Sequence, residues 1–213
     1  MTRQMQEWDG NFGKKYTDRN ALSLDELENL YKKRFGCTRT EMNSMFIGQF
    51  DRDIKILEVG SNIGNQLLCL QKAGFKNLYG IELQSYAVEL SKKRTKGINI
   101  IEGSAFDIPF KDSFFDLVFT SGLLIHIAPD DITPVLDEIY RCTRQYIWCL
   151  EYYTEEYTQI NYRGHADLLW KTNFSKLFLD HFANLTVVKE KHVKYLDNDN
   201  DNVNTMFLLK KDK

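Results

Sequence analysis

The segment from Ile54 to Leu70, IKILEVGSNIGNQLLCL, constrains the fold of this 213-residue chain more than any other segment. It begins with a short apolar run typical of strands that are buried on both faces. Gly60 and Gly64 then bracket a tight loop, and a leucine-rich helical pattern continues to Gly74. Because glycine has no side chain, Gly60 lets the backbone turn sharply and approach a ligand, and Gly64 lets the helix pack near the strand. The segment therefore predicts a strand, a ligand-binding turn and a helix of an α/β sheet.

Two acidic residues are predicted to lie at one edge of that sheet. Glu58 precedes Gly60 by two positions, and Glu82 follows a second strand-like run at residues 78–81. Ligands bind beyond the carboxyl ends of the strands in parallel α/β sheets, so Glu58, the glycine loop and Glu82 are expected to face one crevice. A carboxylate at the end of the second strand can accept hydrogen bonds from both hydroxyls of a ribose.

The loop sequence distinguishes two classes of ribose-containing cofactor. A dinucleotide site has glycine at the first, third and sixth loop positions, whereas this chain has Asn62 and Asn65 at the third and sixth. The pattern E-x-G-x-x-x-G, followed by an acid about 20 residues later, instead resembles the first two motifs of class I S-adenosylmethionine-dependent methyltransferases. The resemblance implies S-adenosylmethionine (SAM) as the cofactor, with Glu58 near the amino end of its methionine moiety.

Later segments continue the same alternation of strands and helices. A third strand is predicted at residues 99–103, and the following SAFDIPF resembles the adenine-side loop of the family, GDAxxLPF. Ser104 replaces the usual acid, so either its hydroxyl or Asp107 is expected to meet the adenine amine. A fourth strand at 114–119 matches the family motif FDLV, and a fifth is predicted at 147–150. The resemblance implies these cofactor contacts: Glu58, Gly60, Asn62, Gly64, Glu82, Leu83, Ser104, Ala105 and Ser121.

The first 50 residues are predicted to form a helical cap on a SAM-binding domain at 51–213, within one compact unit. The sequences SLDE at 23–26 and TRTE at 38–41 both fit the capping box, in which a hydroxyl and a carboxylate satisfy the free amides of a helix start. Two short helices are therefore expected before the sheet.

An aromatic and basic set recurs upstream at helical or near-helical spacing: Trp8, Phe12, Tyr16 and Arg19. One interpretation is an amphipathic lid helix that packs its rings on the core. The other makes Tyr16 and Arg19 cofactor contacts, with the Arg19 guanidinium pairing with the methionine carboxylate.

Several less generic segments point to one group of methyltransferases. They are FGKKYTDRN near the amino terminus, the LLIHIAPDDI run at 123–132, YRC at 140–142, EYY at 151–153 and YRGH at 162–165. Together they resemble the methyltransferase family associated with pseudaminic acid biosynthesis, which is found among bacterial genes for surface sugars. The resemblance runs from about Trp8 to Leu209, and it implies a sugar-derived acceptor.

The candidates for acceptor binding and proton removal follow the fourth and fifth strands. His126 is the first candidate base, because it follows the fourth strand and an unperturbed imidazole titrates near neutral pH. Its alternative role is a hydrogen bond that ties its loop to the next helix. His165 is the rival base, and Arg163 is predicted to clamp an anionic group of the acceptor through its planar fork. The expected walls of the acceptor pocket are Tyr152, Tyr153 and Tyr162, with His165 as a further contact.

Composition excludes several other classes of protein. A net charge of −2 and no large basic cluster argue against nucleic acid as a partner. The four cysteines have no C-x-x-C spacing, and the polar amino terminus does not fit a signal peptide, so a reduced, cytoplasmic protein without a membrane span is expected. Residues 197–202, DNDNDN, begin like a calcium-binding EF-hand loop but lack its glycine and its glutamate, so no metal is expected. They are predicted instead to turn an antiparallel hairpin between 187–194 and 203–209.

These features predict a Rossmann-like class I methyltransferase fold, with a mostly parallel seven-stranded sheet, a carboxyl-terminal antiparallel hairpin and amino-terminal helices. The predicted reaction is O- or N-methylation of a small polar acceptor, a nucleotide-linked or surface-polysaccharide sugar or a related metabolite. Two alternatives stay open: a catalytically inactive protein that binds SAM or its demethylated product S-adenosylhomocysteine, and an NAD-dependent oxidoreductase.

Overall fold

The computed structural model describes residues 1–196 and 202–212, and a seven-stranded sheet lies at its centre. The sheet contains β1 (Lys55–Val59), β2 (Asn77–Glu82), β3 (Ile98–Glu102), β4 (Phe115–Ser121), β5 (Thr143–Tyr152), β8 (Leu185–Lys194) and β9 (Val203–Lys211). Two further short strands are β6 (Thr158–Gln159) and β7 (Trp170–Lys171). The order across the sheet is β3-β2-β1-β4-β5-β9-β8, and β6 and β7 form a separate two-stranded ribbon. Strands β1 to β5 are parallel, whereas β9 runs antiparallel to both β5 and β8.

The predicted hairpin pairs residues close to its expected ends. Val187 lies opposite Leu209, and Lys194 lies opposite Val203. The turn predicted within residues 197–202 lies, except for Asn202, outside the described residues.

The helices lie on both faces of the sheet. They are α1 (Arg3–Asp9), α2 (Asn11–Arg19), α3 (Leu24–Phe35), α4 (Arg39–Ile47), α5 (Asn65–Lys72), α6 (Ser85–Arg94), α7 (Ile132–Cys142) and α8 (Phe174–His181). Both predicted capping boxes are present, since Ser23 pairs with Glu26 at the start of α3 and Thr38 pairs with Glu41 at the start of α4. No helix among the described residues is long and apolar enough to cross a membrane.

The aromatic segment at the amino terminus forms two helices that meet at Gly10 rather than one continuous lid helix. The second helix folds back closely on the first. A Cβ added at Gly13 would lie 1.7 Å from the carbonyl oxygen of Trp8, so only glycine permits this approach. The tight junction brings Trp8 within 5.1 Å of the rings of both Phe12 and Tyr16.

Helices α3 and α4 share a hydrophobic core with the sheet. Phe35 and Phe46 belong to the same buried cluster as Ile56 of β1 and Leu117 of β4. The first 50 residues are therefore packed into the body of the domain, and they reach the carboxyl ends of its strands.

Candidate active site

A cavity of about 290 Å³ opens at the carboxyl ends of β1, β2, β4 and β5. Its walls come from the strand ends, from the loops that follow them and from the amino-terminal helices. Most of the residues predicted as cofactor or acceptor contacts line it: Tyr16, Glu58, Gly60, Asn62, Glu82, Leu83, Ser104, Ala105, Ser121, His126, Tyr152 and Tyr162.

Gly60 makes the sharp turn that the sequence predicts after β1. Its φ is +73°, a left-handed conformation that strains other residues. The amides of Gly60 and Ser61 both donate to the carbonyl of Ile81, at 2.9 Å each, which fixes the turn against β2. A Cβ at position 60 would lie 2.8 Å from Cδ1 of Leu123, which lines the same cavity. A larger side chain here would therefore intrude on the space that a ligand needs.

Glu58 is a buried carboxylate at the base of the cavity. Only 2% of it is exposed, and its Oε2 has no hydrogen-bond partner among the described protein atoms. Burial raises its pKa, while the Arg39 guanidinium acts in the opposite direction and nearby Glu82 raises it further. An unpartnered buried carboxylate costs free energy, so the site is suited to a ligand that brings a cation or a donor to this oxygen.

Glu82 is held in a fixed orientation by the backbone. Its Oε2 accepts from the amide of Asn62 at 2.8 Å, and its Oε1 accepts from the amide of Gln84 at 2.9 Å. Burial raises its pKa, and the backbone hydrogen bonds oppose that shift. Each carboxylate oxygen has a second lone pair, so the group can still accept hydrogen bonds from a ligand in the cavity.

A buried polar network joins the amino-terminal helices to this carboxylate. The hydroxyl of Thr17, which is fully buried, donates to Oε1 of Gln84 at 3.0 Å and accepts from Nδ2 of Asn62 at 2.8 Å. Nε2 of Gln84 donates in turn to the carbonyl of Trp8 at 3.0 Å. The side chain of Tyr16 is enclosed nearby, and burial raises its pKa.

Of the two candidates for the adenine side, Ser104 lies at the cavity. Its hydroxyl accepts from the amide of Phe106 at 3.1 Å, which shapes the loop after β3. Asp107 is exposed and does not line the cavity.

His126 lies in the wall formed by the loop after β4. It is buried, and its Nδ1 is 2.6 Å from the carbonyl oxygen of Leu168. Because a carbonyl can only accept, Nδ1 carries the proton and Nε2 keeps a lone pair. Burial lowers the pKa of His126 to about 4, so the ring is neutral at neutral pH. The ring packs 4.4 Å from the ring of Trp8 and 5.4 Å from that of Tyr162.

Five predicted site residues do not line the cavity: Arg19, Gly64, Tyr153, Arg163 and His165. Arg19 and Arg163 are exposed, and their guanidinium groups lie over the rings of Tyr16 and Tyr162, at 6.0 and 5.8 Å. Both tyrosines line the cavity, whereas neither arginine does.

The other three residues are held elsewhere by packing. The ring of His165 lies 5.1 Å from that of Phe12, and the ring of Tyr153 lies 4.2 Å from that of His192. Gly64 starts α5 at a φ of +81°, and a Cβ there would meet Ile100 at 2.8 Å. Its role is thus the close helix packing that the sequence predicts, rather than a surface of the cavity.

One wall of the cavity was missed by sequence reasoning. It consists of residues from α3, from the start of α5 and from the hairpin region: Leu27, Leu30, Tyr31, Gln66, Tyr195 and Asn204. The capping box locates the start of α3 but carries no information on which face of α3 meets the cavity. Glu151, at the end of β5, belongs to the predicted EYY segment, but its role in holding a loop was not predicted. Its carboxylate accepts from the Thr120 hydroxyl at 2.8 Å and from the Leu123 amide at 3.1 Å, and so holds the loop that carries His126.

Known methyltransferases are similar to this chain in both sequence and fold. Residues 57–149 match the family model described as a methyltransferase domain. Phosphoethanolamine N-methyltransferase of Plasmodium falciparum is 24% identical over 170 residues, which cover 68% of this chain and 64% of that protein. The chain spans about one third to two thirds of the length of the curated relatives that it matches.

Solved structures share the fold. A chain from the complex of the Haloferax volcanii Trm112 methyltransferase activator with a methyltransferase has a TM-score of 0.68 and 17% identity, covering 91% of this chain and 94% of that one. The Burkholderia thailandensis 1,6-didemethyltoxoflavin-N1-methyltransferase, solved with its acceptor and S-adenosylhomocysteine, has a TM-score of 0.63 and 15% identity, covering 82% and 77%. Together with the strand order, these structures confirm the predicted fold class. The association with pseudaminic acid remains a prediction.

Proposed function

We propose that this chain transfers the methyl group of SAM to a small polar acceptor bound in the same cavity. The proposal rests on two features that lie side by side, the glycine turn at Gly60 and the buried carboxylate of Glu58. At Gly60 a side chain would collide with Leu123, and beside it Glu58 presents a buried oxygen without a partner. A cationic, ribose-containing ligand satisfies both features, because the backbone can approach it and Glu58 can pair with it.

The residues of the cavity fit the three parts of SAM. We assign Glu58 to the methionine ammonium group, Glu82 to the ribose hydroxyls and Ser104 to the adenine edge. Tyr16, Asn62, Leu83, Ala105 and Ser121 complete the proposed contacts. We also propose that Arg19 pairs with the methionine carboxylate. Its side chain now lies over the ring of Tyr16, outside the cavity lining, and would have to turn inward to make this contact.

SAM supplies an electrophilic methyl group on a sulfonium, so the protein's main task is to align the acceptor atom with it. Such positioning can contribute about 7 to 11 kcal/mol. Proton removal is the remaining task for a hydroxyl or ammonium acceptor. We propose His126 as the base, because its neutral ring lines the cavity and keeps a lone pair on Nε2. His165 is the second candidate.

For the acceptor we propose a sugar-derived, anionic molecule, nucleotide-linked or from a surface polysaccharide, methylated on oxygen or nitrogen in the cytoplasm. The support is the family resemblance of the YRGH loop. Tyr152 and Tyr162 line the cavity, and Tyr153 and His165 lie beyond them. Arg163 lies over the ring of Tyr162, where it can meet an anionic group that extends out of the cavity.

The cofactor proposal is tested by calorimetric titration with SAM, S-adenosylhomocysteine and NAD. We expect the first two to bind and to stabilise the fold by about 2.7 kcal/mol at 100 times the dissociation constant. Gly60→Val should abolish binding while the fold survives. Gly97→Val is the matched control, because Gly97 has nearly the same φ, +72°, but lies outside the lining of the cavity. Unchanged affinity in folded Gly60→Val protein contradicts the proposal, and binding of NAD alone favours an oxidoreductase.

Catalysis is tested separately from binding. The purified protein is incubated with SAM and a panel of nucleotide-linked sugars and their amino derivatives, and products are detected by the mass of one added methyl group. Binding of SAM without turnover of any acceptor, in a panel extended to small amines and phenols, identifies a binding protein rather than an enzyme.

A further inference from the structure

A buried polar cluster lies behind the cavity wall formed by Glu58. Its centre is Arg39 at the start of α4, which is fully buried. None of its three guanidinium nitrogens has a hydrogen-bond partner among the described residues, and the same is true of both amide atoms of Asn43, one turn later on α4. A buried arginine remains protonated, so its charge requires compensation close by.

Aromatic rings hold the guanidinium in place. Its Cζ lies 5.4 Å from the ring centroid of Tyr31 and 5.3 Å from that of Trp148. Trp148 lies opposite Phe119 across β4 and β5, and Phe119 lies opposite Glu58 across β4 and β1. Arg39 therefore lies over the row of the sheet that contains Glu58. Rings stabilise a desolvated cation by about 2 kcal/mol or more, which is less than the cost of burying it unpaired.

Two buried carboxylates are available to balance this charge. Glu28 on α3 is already engaged, because it accepts hydrogen bonds from the amide and the hydroxyl of Thr40. Glu58 has an oxygen without a partner among the described residues. Burial raises the pKa of Glu58, and the guanidinium of Arg39 opposes that rise. The other ionisable groups near this carboxylate are Glu82 on β2 and Cys69 on α5. Glu82 acts against ionisation of Glu58, and burial raises the pKa of the Cys69 thiol to about 12, so that it stays neutral.

We propose that Arg39 is the buried counter-ion of Glu58, and that its charge favours the ionised form of this carboxylate when the cationic methionine moiety of SAM binds. The proposal rests on the function proposed above. Arg39 is thus a positioning residue that acts through Glu58, because it does not itself line the cavity.

The first experiment is a double-mutant cycle without ligand, read by the free energy of unfolding. Arg39→Gln leaves Glu58 buried without its counter-ion, and Glu58→Gln leaves Arg39 unpaired, so each single variant should be destabilised. The double variant should be more stable than the sum of the single effects, because neither charge remains. If Arg39→Gln does not fold, recovery of folding by Glu58→Gln supports the proposal. Additive effects, or failure of the double variant to fold as well, overturn it and make Arg39 a structural residue.

The second experiment measures the dissociation constant of SAM between pH 6 and pH 8.5. In Arg39→Gln, loss of the cation removes the group that opposes the rise in the pKa of Glu58, so affinity at pH 7 should fall by about tenfold or more and recover as the pH rises. Arg39→Lys should keep most of the affinity. In a Glu58→Gln background, Arg39→Gln should change the affinity by less than about threefold.

The two proposals fail in different ways. If the unmodified protein binds no SAM but the double-mutant cycle shows that Arg39 and Glu58 are coupled, the proposed function is wrong. The proposal that Arg39 is the counter-ion of Glu58 is then still supported. If SAM binds but the affinity of Arg39→Gln shows the same pH profile as the unmodified protein, the role of Arg39 in binding is overturned.

Discussion

Glu82 combines a structural and a ligand-binding role in one carboxylate. It holds the amides of Asn62 and Gln84, and it lines the cavity at the end of β2. We predict that Glu82→Ala weakens SAM binding by about 1.5 to 3 kcal/mol, the range for hydrogen bonds that involve a charged group. Glu102→Ala is the matched control, because Glu102 lies opposite Glu82 at the end of β3 but outside the lining. Equal losses in the two variants, measured by calorimetry, contradict the assignment.

His126 and His165 differ in what surrounds them, and their substitution should separate their roles. We predict that His126→Asn lowers the rate of the chemical step by about 100-fold to 10,000-fold, whereas His165→Asn changes mainly the acceptor affinity. Single-turnover rates and acceptor dissociation constants give the two quantities. Because the pKa of His126 is about 4, its protonation should reduce the rate only near that pH, and not near 6.5. Near-normal turnover in both variants shows that neither imidazole is a base and that positioning suffices.

We predict that Arg163→Ala weakens acceptor binding by about 1.5 to 3 kcal/mol and leaves SAM binding nearly unchanged. The reason is the proposed charge-assisted contact with an anionic group at the mouth of the cavity. Arg144→Ala serves as a control for the loss of an exposed charge, because Arg144 pairs with Asp116 at the opposite, amino-terminal end of the parallel strands. An unchanged acceptor affinity in Arg163→Ala removes this residue from the site.

Among the secondary structure elements, those with strong local patterns were predicted from the sequence, and those placed by tertiary contacts were not. The strand before Gly60 and the capping box at Ser23 appear as predicted, because a buried apolar run and a hydroxyl–carboxylate pair act locally. The break at Gly10 depends on the close contact between Gly13 and the Trp8 carbonyl, which no local periodicity encodes. Local sequence likewise does not encode the position of Arg163 outside the cavity, because that position depends on how its loop packs on α2.

Buried polar contacts around Thr17 help to hold the amino-terminal pair of helices on the domain. Thr17→Val keeps the shape of the side chain but leaves Asn62 and Gln84 without this partner, which costs about 1 to 3 kcal/mol. We predict faster tryptic cleavage after Arg19 in this variant, and slower cleavage of the unmodified protein when SAM is bound. Thr143→Val is the matched control, since Thr143 is equally buried but bonds to Ile139 of α7. Equal cleavage with and without SAM removes the lid role of α1 and α2.

At the scale of the whole molecule, the cavity lies where the parallel part of the sheet adjoins the antiparallel hairpin. Strand β5 supplies Tyr152, and β9 supplies Asn204 directly opposite it. Helix α3 lines the cavity near this junction, α2 bonds to Gln84 after β2, and α1 packs on His126 after β4. The amino-terminal helices therefore border both halves of the cavity. One cavity can thus hold a cofactor and an acceptor side by side.

Two buried ionisable groups of the domain have pKa values that shift in opposite directions. Burial raises the pKa of Glu151 from 4.5 to about 7 and lowers that of His126 from 6.5 to about 4. Between pH 4.5 and 7 the folded state holds a proton on Glu151 that the unfolded state has lost, so stability falls as the pH rises. Between pH 6.5 and 4 the unfolded state protonates His126 while the folded state does not, so stability falls as the pH falls.

These two slopes, each about 1.4 kcal/mol per pH unit, should nearly cancel between about pH 4.5 and 6.5. We predict that Glu151→Gln exposes the histidine slope, so that this variant loses about 3 kcal/mol relative to the unmodified protein as the pH falls through that range. His126→Asn should expose the opposite slope and lose stability as the pH rises. Urea unfolding at four pH values between 4.5 and 7.5 measures both, and Glu102→Gln, on the exposed side of β3, is the control that should follow the unmodified protein. Parallel stability curves for all four proteins would show that neither buried group is linked to folding through its protonation.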